Sequence, residues 1–398
     1  MKRILTASLL ALAAACAPDQ PGPVTPDAAP SAAAHQAGGD GKYIVALKEG
    51  ADPRSVAALL GIRPKNVYTA AINGFAGELT AGQVTALRRN PNVAYVEPDA
   101  EARLATTQIF PVWGIDRIDE PTLPRSNTFT YTSAGAGVVI YVLDTGVRKT
   151  HKQFGGRASY IPSAVNGNFV GDARPNAEDC HGHGTHVAAT AAGVGYGVAK
   201  RAMIRAGRVV NCSGGGNASM LIAAIDWIIA NGDPPGVVNM SLGYGDVQAV
   251  RDAAQSLYLA GYVPVAAAGN GDYLGNPLNA CDESPAGALN ALTVGATDST
   301  DHESSFSNYG RCIDLFAPGS SVKSAEIAHD SAFGTRSGTS MAAPHAAGVA
   351  AQYLAANPGS TPYTVMTAMK SIATTGVITR HAASVANYTP NRLLFTNY

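Results

Sequence analysis

Beyond about residue 105, mainly apolar runs alternate with helical stretches, and this alternation limits the possible folds more than any other feature. The runs cover 138–143, 237–240, 263–268, 292–294 and 313–316. Apolar runs without polar alternation are typical of parallel strands that are buried on both faces. The helical stretches between them cover 185–192, 220–230, 246–260 and 340–355. We therefore predict an α/β domain, a parallel sheet sandwiched by helices.

A smaller pattern precedes this domain, over residues 42–104. The predicted order is a strand, a helix that ends at Gly61, a long strand with a turn or bulge at Asn73-Gly74, a second helix and a final strand. Thr80 and Gln83 have the spacing of a capping box, which starts the second helix. The β-α-β-α-β order, with a long middle strand that can divide, predicts a small α+β, ferredoxin-like open-faced sandwich.

The N-terminus is typical of export. Two basic residues precede a short apolar run over 4–12, which is too short to span a bilayer. The small residues before Cys16 resemble a bacterial lipoprotein signal, and ordinary signal cleavage near Ala15 is the alternative. We assign 1–16 to the signal peptide, and the Pro/Ala-rich segment 17–41 to a linker.

The overall composition excludes some classes of partner. A net charge of −1 gives no field for nucleic acid or anionic lipid. Apolar residues make up 46% of the chain, which allows a large core, and charged residues only 14%, below the roughly 25% of typical soluble chains. The membrane would therefore be a partner only through a lipid on the precursor.

Four cysteines remain once Cys16 is assigned to the signal. An even number in an exported chain indicates disulfides, and four cysteines allow three pairings. The nearest-neighbour pairing, Cys180–Cys212 with Cys281–Cys312, closes two loops of similar length.

Three glycine-bracketed motifs supply an acid, a base and a hydroxyl in chain order. Asp144 follows the first apolar run, His183 lies between two glycines, and Ser340 opens a helix of small apolar residues. A serine hydroxyl is a poor nucleophile unless a histidine takes its proton and a carboxylate orients that histidine. In parallel sheets, working residues lie just past the C-terminal ends of strands, where Asp144 stands. These three residues are therefore our candidate catalytic group.

Each motif also has a structural interpretation. Asp144 suits a strand-end turn, and Ser340 suits the N-cap of a buried helix. His181, His183 and His186 are clustered as metal ligands can be, but the H-E-x-x-H spacing and any glutamate within the block are absent. We interpret His186 as structural.

The Ser340 helix also predicts an oxyanion hole. Pro344 is expected in the first turn, where its missing N–H costs little. The Ser340 N–H then points out of the helix N-terminus, where the dipole favours negative charge. Asn270, after an apolar strand and a glycine, can offer its side-chain amide as the second donor.

Taken together, the motifs resemble those of the subtilisin-like serine proteases. They stand in the family's order: D-T-G at 144–146, H-G-T-H at 183–186, A-A-G-N at 267–270 and G-T-S-M-A-x-P-H at 338–345. Further segments are similar to the proteinase K branch, at 196–200, 284–286, 305–310 and 316–319. The four late cysteines stand where aqualysin-type enzymes have two disulfides. The resemblance runs from residue 42 to the end, and implies an inhibitor propeptide over 42–104 and a peptidase domain over 105–398.

The resemblance implies substrate-contacting segments. Two edges with small residues would pair with the backbone of an extended peptide, which needs little side-chain identity. Small residues at the first pocket imply a broad preference for apolar or aromatic residues before the cut. The residues implied are Gly214, Gly215, Gly216, Ser241, Leu242, Gly243, Ala268 and Gly269.

Structural calcium (Ca²⁺) is implied as well, bound through carboxylate and carbonyl oxygens. Arg125 departs from the family at the second site, where a ligand or neutral residue is expected, and an exposed turn acid is the alternative at each site. The residues implied are Asp314 with the carbonyls of Leu289 and Ala291 for the first site, and Asp116, Asp119 and Glu120 for the second.

We expect a secreted, monomeric serine endopeptidase that is made as a zymogen. Its substrates would be proteins and peptides, and its own propeptide would be an intramolecular inhibitor, cut close to Leu104-Ala105. A lipid on Cys16 would lie on the propeptide side of that cut, so maturation would release the enzyme. The alternatives are a catalytically silent binding protein of the same fold and a serine esterase, and the glycine-rich edges favour peptides.

Overall fold

The computed structural model describes residues 40–99, 105–162, 166–172 and 176–398, which form two compact units that divide near residue 102. The signal-peptide prediction at 1–16, most of the linker at 17–41 and Leu104 of the predicted cut lie outside the described residues. Within the described ranges, no helix has both the length and the apolar character needed to cross a bilayer.

The first unit is a small α+β sandwich, as predicted. Its described strands form an antiparallel sheet in the order β2-β3-β1-β4, and the long middle strand of the prediction is divided. Asn73 lies at the end of the connection between β2 and β3, and its side-chain amide donates to the Lys48 and Ala51 carbonyls. The capping box at Thr80 and Gln83 is present. The elements are β1 (Gly41–Leu47), α1 (Pro53–Leu59), β2 (Asn66–Tyr68), β3 (Gly74–Leu79), α2 (Ala81–Arg88) and β4 (Val93–Pro98).

The second unit has the predicted α/β architecture. Its strands are β5 (Thr106–Ile109), β6 (Thr128–Tyr131), β7 (Val139–Asp144), β8 (Ala158–Tyr160), β9 (Met203–Arg208), β10 (Gly236–Met240), β11 (Tyr262–Ala267), β12 (Leu292–Thr297), β13 (Leu315–Pro318), β14 (Val322–Ala325), β15 (Phe333–Arg336), β16 (Thr374–Thr375) and β17 (Arg392–Leu393). Its helices are α3 (Trp113–Ile118), α4 (His183–Ala192), α5 (Ala218–Asn231), α6 (Gln248–Leu259), α7 (Thr339–Ala356), α8 (Pro362–Ile372) and α9 (Ala382–Ala386).

The central sheet is covered on both faces. Among the described residues it has nine strands in the order β16-β17-β13-β12-β11-β10-β7-β9-β8, parallel except for the β16–β17 pair. Strand β7 supplies both cores: Ile140 and Val142 pack with α4 and α7, whereas Tyr141 and Leu143 pack with α5 and α6. This explains why its sequence is apolar without alternation. The arrangement places Asp144 at the carboxyl end of a central strand.

Candidate active site

Asp144 and His183 form a direct pair. The His183 Nδ1 atom lies 2.8 and 2.9 Å from the two carboxylate oxygens of Asp144, which is 1% exposed. Because a carboxylate only accepts, Nδ1 donates and Nε2 is left as an acceptor. Burial alone would lower the pKa of His183, but the charge and hydrogen bond of Asp144 outweigh it, and the net pKa is raised. The imidazole therefore has the orientation and tautomer that a general base needs.

Two glycines make this pairing possible. Gly182 precedes α4 with φ +97°, and a Cβ built on it would lie 2.7 Å from the Glu326 side chain. A Cβ on Gly184 would lie 2.1 Å from the Gly146 carbonyl oxygen and 3.2 Å from Asp144 Oδ1. The start of α4 therefore approaches the end of β7 more closely than any side chain would allow.

Asp179 holds the loop that carries His183, and our sequence analysis missed it. Its Oδ1 accepts from Thr145 Oγ1, His181 N–H and Gly182 N–H, each at 2.9 Å. Its Oδ2 accepts from the Thr185 backbone and hydroxyl at 2.9 and 2.6 Å. An aspartate just before a Gly-rich turn, with a threonine at the helix start, is the sequence signal that could have indicated this role.

The nucleophile candidate lies at the start of α7, beside Asn270. The Asn270 carbonyl oxygen accepts from the Thr339 N–H at 2.8 Å and from the Thr339 hydroxyl at 3.0 Å. This fixes the amide so that its NH₂ group faces away from Thr339. Among the described residues, the Ser340 N–H has no backbone acceptor outside its own helix. Asn270 and Ser340 thus present two donors at one helix N-terminus, as an oxyanion hole requires.

Pro344 corrects one expectation. It lies in the second turn of α7 rather than the first, because the helix begins at Thr339. A proline there removes the N–H that would bond the Ser340 carbonyl. The Ser241 hydroxyl donates to that carbonyl instead, at 2.9 Å.

The Ser340 hydroxyl is directed at Ser241 in this structure. It donates to the Ser241 carbonyl at 3.1 Å, and no hydrogen bond between Ser340 and His183 is present in the described chain. Catalytic hydrogen bonds are often loose without substrate, and rotation about one serine torsion redirects a hydroxyl. The structure therefore joins Asp144 with His183, and Ser340 with Ser241.

A cleft of about 350 Å³ is lined by Asp144, His183 and Ser241, whereas Ser340 and Asn270 are not among its lining residues. Most of the predicted substrate-contacting residues line it, together with His181 and Tyr244, which our sequence analysis did not assign to substrate. Ala268 and Gly269 do not line it: Ala268 is fully buried, and its carbonyl accepts from Asn308. The lining residues are Asp144, Thr145, His181, His183, Val210, Gly214, Gly215, Gly216, Ser241, Leu242, Gly243 and Tyr244.

The other histidine of the motif is structural, as predicted. His186 is fully buried, and its Nε2 lies 3.0 Å from the Val322 carbonyl oxygen. Burial lowers its pKa to about 4, so the ring is neutral at pH 7. Across the described ranges, no cluster of three or more His, Cys, Asp or Glu side chains is arranged to hold a metal ion.

Both nearest-neighbour disulfides are present. Cys180 is bonded to Cys212, and Cys281 to Cys312. The first fixes the residue directly before His181, at the rim of the cleft. The predicted pairing is confirmed.

Protein groups occupy the Asp314 carboxylate, the centre of the first implied calcium site. The Lys370 Nζ atom lies 3.0 Å from Asp314 Oδ1, and the Thr293 N–H donates to Oδ2 at 3.0 Å. A calcium ion on this carboxylate would be next to an ammonium group. As folded, these residues do not fit calcium.

The second implied site has a different character. Asp116 Oδ2 lies 3.4 Å from Arg125 Nε, and Asp119 Oδ2 accepts from the Thr130 N–H at 2.7 Å. The Oδ1 atoms of both aspartates are buried without a hydrogen-bond partner in the described structure. Burial raises the pKa of Asp116, and that of Asp119 to about 7. Two buried, unpaired carboxylate oxygens fit a calcium ion.

Comparison with known proteins agrees with this geometry. A model of the Subtilase family matches residues 135–390, and one of the Peptidase inhibitor I9 family matches residues 42–105. An extracellular serine proteinase of Thermus sp. (strain Rt41A) is 43% identical over 383 residues, covering 90% of each chain. An alkaline serine exoprotease A of Vibrio alginolyticus is 43% identical over 347 residues, 86% of this chain and 62% of the relative. The crystal structure of a cold adapted subtilisin-like serine proteinase superposes with a TM-score of 0.66 at 42% identity, covering 73% of this chain and 99% of the other.

Proposed function

The chain belongs to the subtilase family of serine proteinases, and we propose that it is a secreted endopeptidase made as a zymogen. The propeptide would be the α+β unit, whose residues 42–105 match the inhibitor family. Secretion is supported by the relative from Thermus, which is named extracellular, and by the N-terminal pattern. A monomer remains our expectation.

In the proposed mechanism, Ser340 is the nucleophile. Its hydroxyl leaves the Ser241 carbonyl and attacks the peptide carbonyl carbon, while His183 Nε2 takes the proton. Asp144 orients the ring and stabilises the imidazolium that forms. His183 then gives the proton to the leaving amine, and a water molecule hydrolyses the acyl-enzyme by the same route. The observation that carries this proposal is the Asp144–His183 pair, at 2.8 and 2.9 Å, opening into the cleft.

The oxyanion would be held by the Asn270 amide and the Ser340 N–H. Support comes from Thr339, which fixes the Asn270 amide by two hydrogen bonds to its oxygen. Removal of such a donor lowers kcat by about 10²–10³-fold, a range for which subtilisin itself is the reference case.

Substrate would bind as an extended strand between two glycine-rich edges. Gly214, Gly215 and Gly216 form one wall of the cleft, and Ser241 to Gly243 the other. Gly216 has no room for a side chain, because a Cβ would lie 2.5 Å from the Val209 carbonyl oxygen. Backbone pairing with few side-chain requirements suits a broad preference for apolar or aromatic residues before the cut.

Calcium is proposed as a structural ion at Asp116 and Asp119, where it would pair with the two buried Oδ1 atoms. It takes no part in the reaction. Changing Asp119 to Asn should remove one bound calcium ion and lower the thermal midpoint in calcium to its value in EGTA. An unchanged calcium content would refute the site.

The function is tested by comparing wild type with Ser340→Ala and the matched control Ser331→Ala, which changes an exposed serine elsewhere. Intact mass should show self-trimming near residue 105 in wild type and Ser331→Ala only. A sulfonyl fluoride should add one group to Ser340 and abolish casein hydrolysis. Faster turnover of a short-chain ester with no casein hydrolysis would support the esterase instead. A stable, full-length chain that the reagent does not label would support the silent binding protein.

A further inference from the structure

We propose that the Lys370 ammonium, rather than a calcium ion, is the resident cation of the Asp314 carboxylate. Family resemblance implies calcium there, with carbonyls of Leu289 and Ala291, but the contacts on Asp314 are those of an internal ion pair. One end of the sheet would then be stabilised by the chain itself, independently of calcium.

Both carboxylate oxygens of Asp314 already have donors. The Lys370 Nζ atom lies 3.0 Å from Oδ1, and the Thr293 N–H donates to Oδ2 at 3.0 Å. The two side chains are only partly exposed, 33% for Lys370 and 18% for Asp314. Asp314 is therefore neutralised from the α8 side and tied to β12 on the other.

The lysine is anchored where it can reach this carboxylate. It lies in the last turn of α8, and its neighbour Met369 is fully buried in the main core. A buried neighbour fixes the backbone, so the ammonium is tethered close to Asp314. A tethered group has a high effective concentration, with which a free ion must compete.

Charge also disfavours calcium here. The pair of Lys370 and Asp314 is neutral, whereas calcium sites rely on carboxylates with net negative charge. A divalent ion bound to Asp314 would either be repelled by the adjacent ammonium or displace it into solvent. A cation is also present at the second site, where Arg125 Nε lies 3.4 Å from Asp116 Oδ2. The two sites differ in their free oxygens instead: the buried Oδ1 atoms of Asp116 and Asp119 have no hydrogen-bond partner in the described structure.

The experiment counts bound calcium on the full chain carrying Ser340→Ala, which prevents self-digestion. After dialysis against millimolar calcium, the parent and its Asp314→Asn variant should contain the same number of calcium ions. The Lys370→Met variant should gain one ion, and its thermal midpoint should become newly sensitive to EGTA. Lys152→Met, at an exposed lysine elsewhere, should gain none, and Asp119→Asn shows whether the loss of one ion is detectable.

A second measurement avoids variants at the site. Acylation of Lys370 in the parent chain, followed by peptide mass mapping, should proceed at the same rate with and without calcium. A rate that rises severalfold with calcium would mean that the ion displaces the ammonium, and would overturn the proposal. So would the loss of one calcium ion in Asp314→Asn. If a variant fails to fold, the acylation rate decides.

Discussion

Replacing Gly184 by alanine should lower kcat by more than its effect on stability explains, because Gly184 lies where α4 meets β7. A Cβ at this position would be 2.1 Å from the Gly146 carbonyl oxygen, 3.1 Å from Asp144 Cβ and 3.2 Å from Asp144 Oδ1. Since non-bonded carbon and oxygen atoms approach to about 3.2 Å, the gap must open by about 1 Å. The Gly184 N–H is also tied to the Thr145 hydroxyl at 2.9 Å, so the strain cannot be confined to one atom.

The expected magnitude follows from that displacement. Opening the gap moves the start of α4, with His183, relative to Asp144. A misplacement of about 1 Å in a catalytic group costs about 10²-fold in rate, or about 2.7 kcal/mol in the activation barrier. Forcing a methyl group into a packed site also lowers stability by about 1–3 kcal/mol.

The control is Gly197→Ala, which meets an equally close backbone atom away from the cleft. A Cβ there would lie 2.1 Å from the Gly193 nitrogen, beyond the C-terminal end of α4. Stability is measured by urea unfolding on the Ser340→Ala chain, and kcat on a peptide anilide after active-site titration. Both variants should be destabilised, but only Gly184→Ala should lose about 10²-fold in kcat. Equal kcat losses, or a Gly184→Ala enzyme within about threefold of wild type, would refute the reasoning.

Three further outcomes are expected. Asp144→Asn should lower kcat by about 10⁴-fold, and the acid limb of its kcat/KM profile should move to lower pH, because Asp144 raises the pKa of His183. Burial lowers the pKa of His345 to about 4, so the neutral ring contributes to stability above pH 6.5 and this contribution is lost as the pH falls towards 4. The unfolding free energy should therefore fall by about 2 kcal/mol from this residue between pH 7.5 and 5. Urea titrations of His345→Gln should show a smaller dependence of stability on pH. Replacing Cys281 and Cys312 by serine opens a loop of sequence separation 31 and should lower the unfolding free energy by about 3–4 kcal/mol, measured against wild type with intact disulfides.

The central strands were predictable because burial on both faces leaves a simple mark in the sequence. The apolar run predicted as a strand at 138–143 corresponds to β7, whose observed bounds are shifted by one residue. Strand β9, its neighbour, was missed because it carries Arg205 and Arg208. Arg208 is fully buried, and its partner Asp172 is distant in the chain, so only tertiary structure explains a charge at that position.

The candidate catalytic side chains could be selected from the sequence because the proposed chemistry restricts the residue types. Their supports were harder to predict, because they act through backbone groups that any residue can supply. Asp179 is an example: it binds backbone N–H groups of the His183 loop, and its own sequence neighbourhood gives no indication of a partner at Thr145. The contact of Asp314 with Lys370 was equally hard to predict, because the two residues are 56 positions apart in the chain.

Ser241 couples the nucleophile to the substrate-binding edge. Pro344 leaves the Ser340 carbonyl without its helical partner, and the Ser241 hydroxyl takes that place. The Ser241 carbonyl in turn accepts from the Ser340 hydroxyl. Because Ser241 also lines the cleft, a peptide that pairs with this edge competes for the same carbonyl and weakens its hold on the hydroxyl. In the proposed mechanism, substrate binding would thus favour the rotation that turns the Ser340 hydroxyl from the Ser241 carbonyl towards His183.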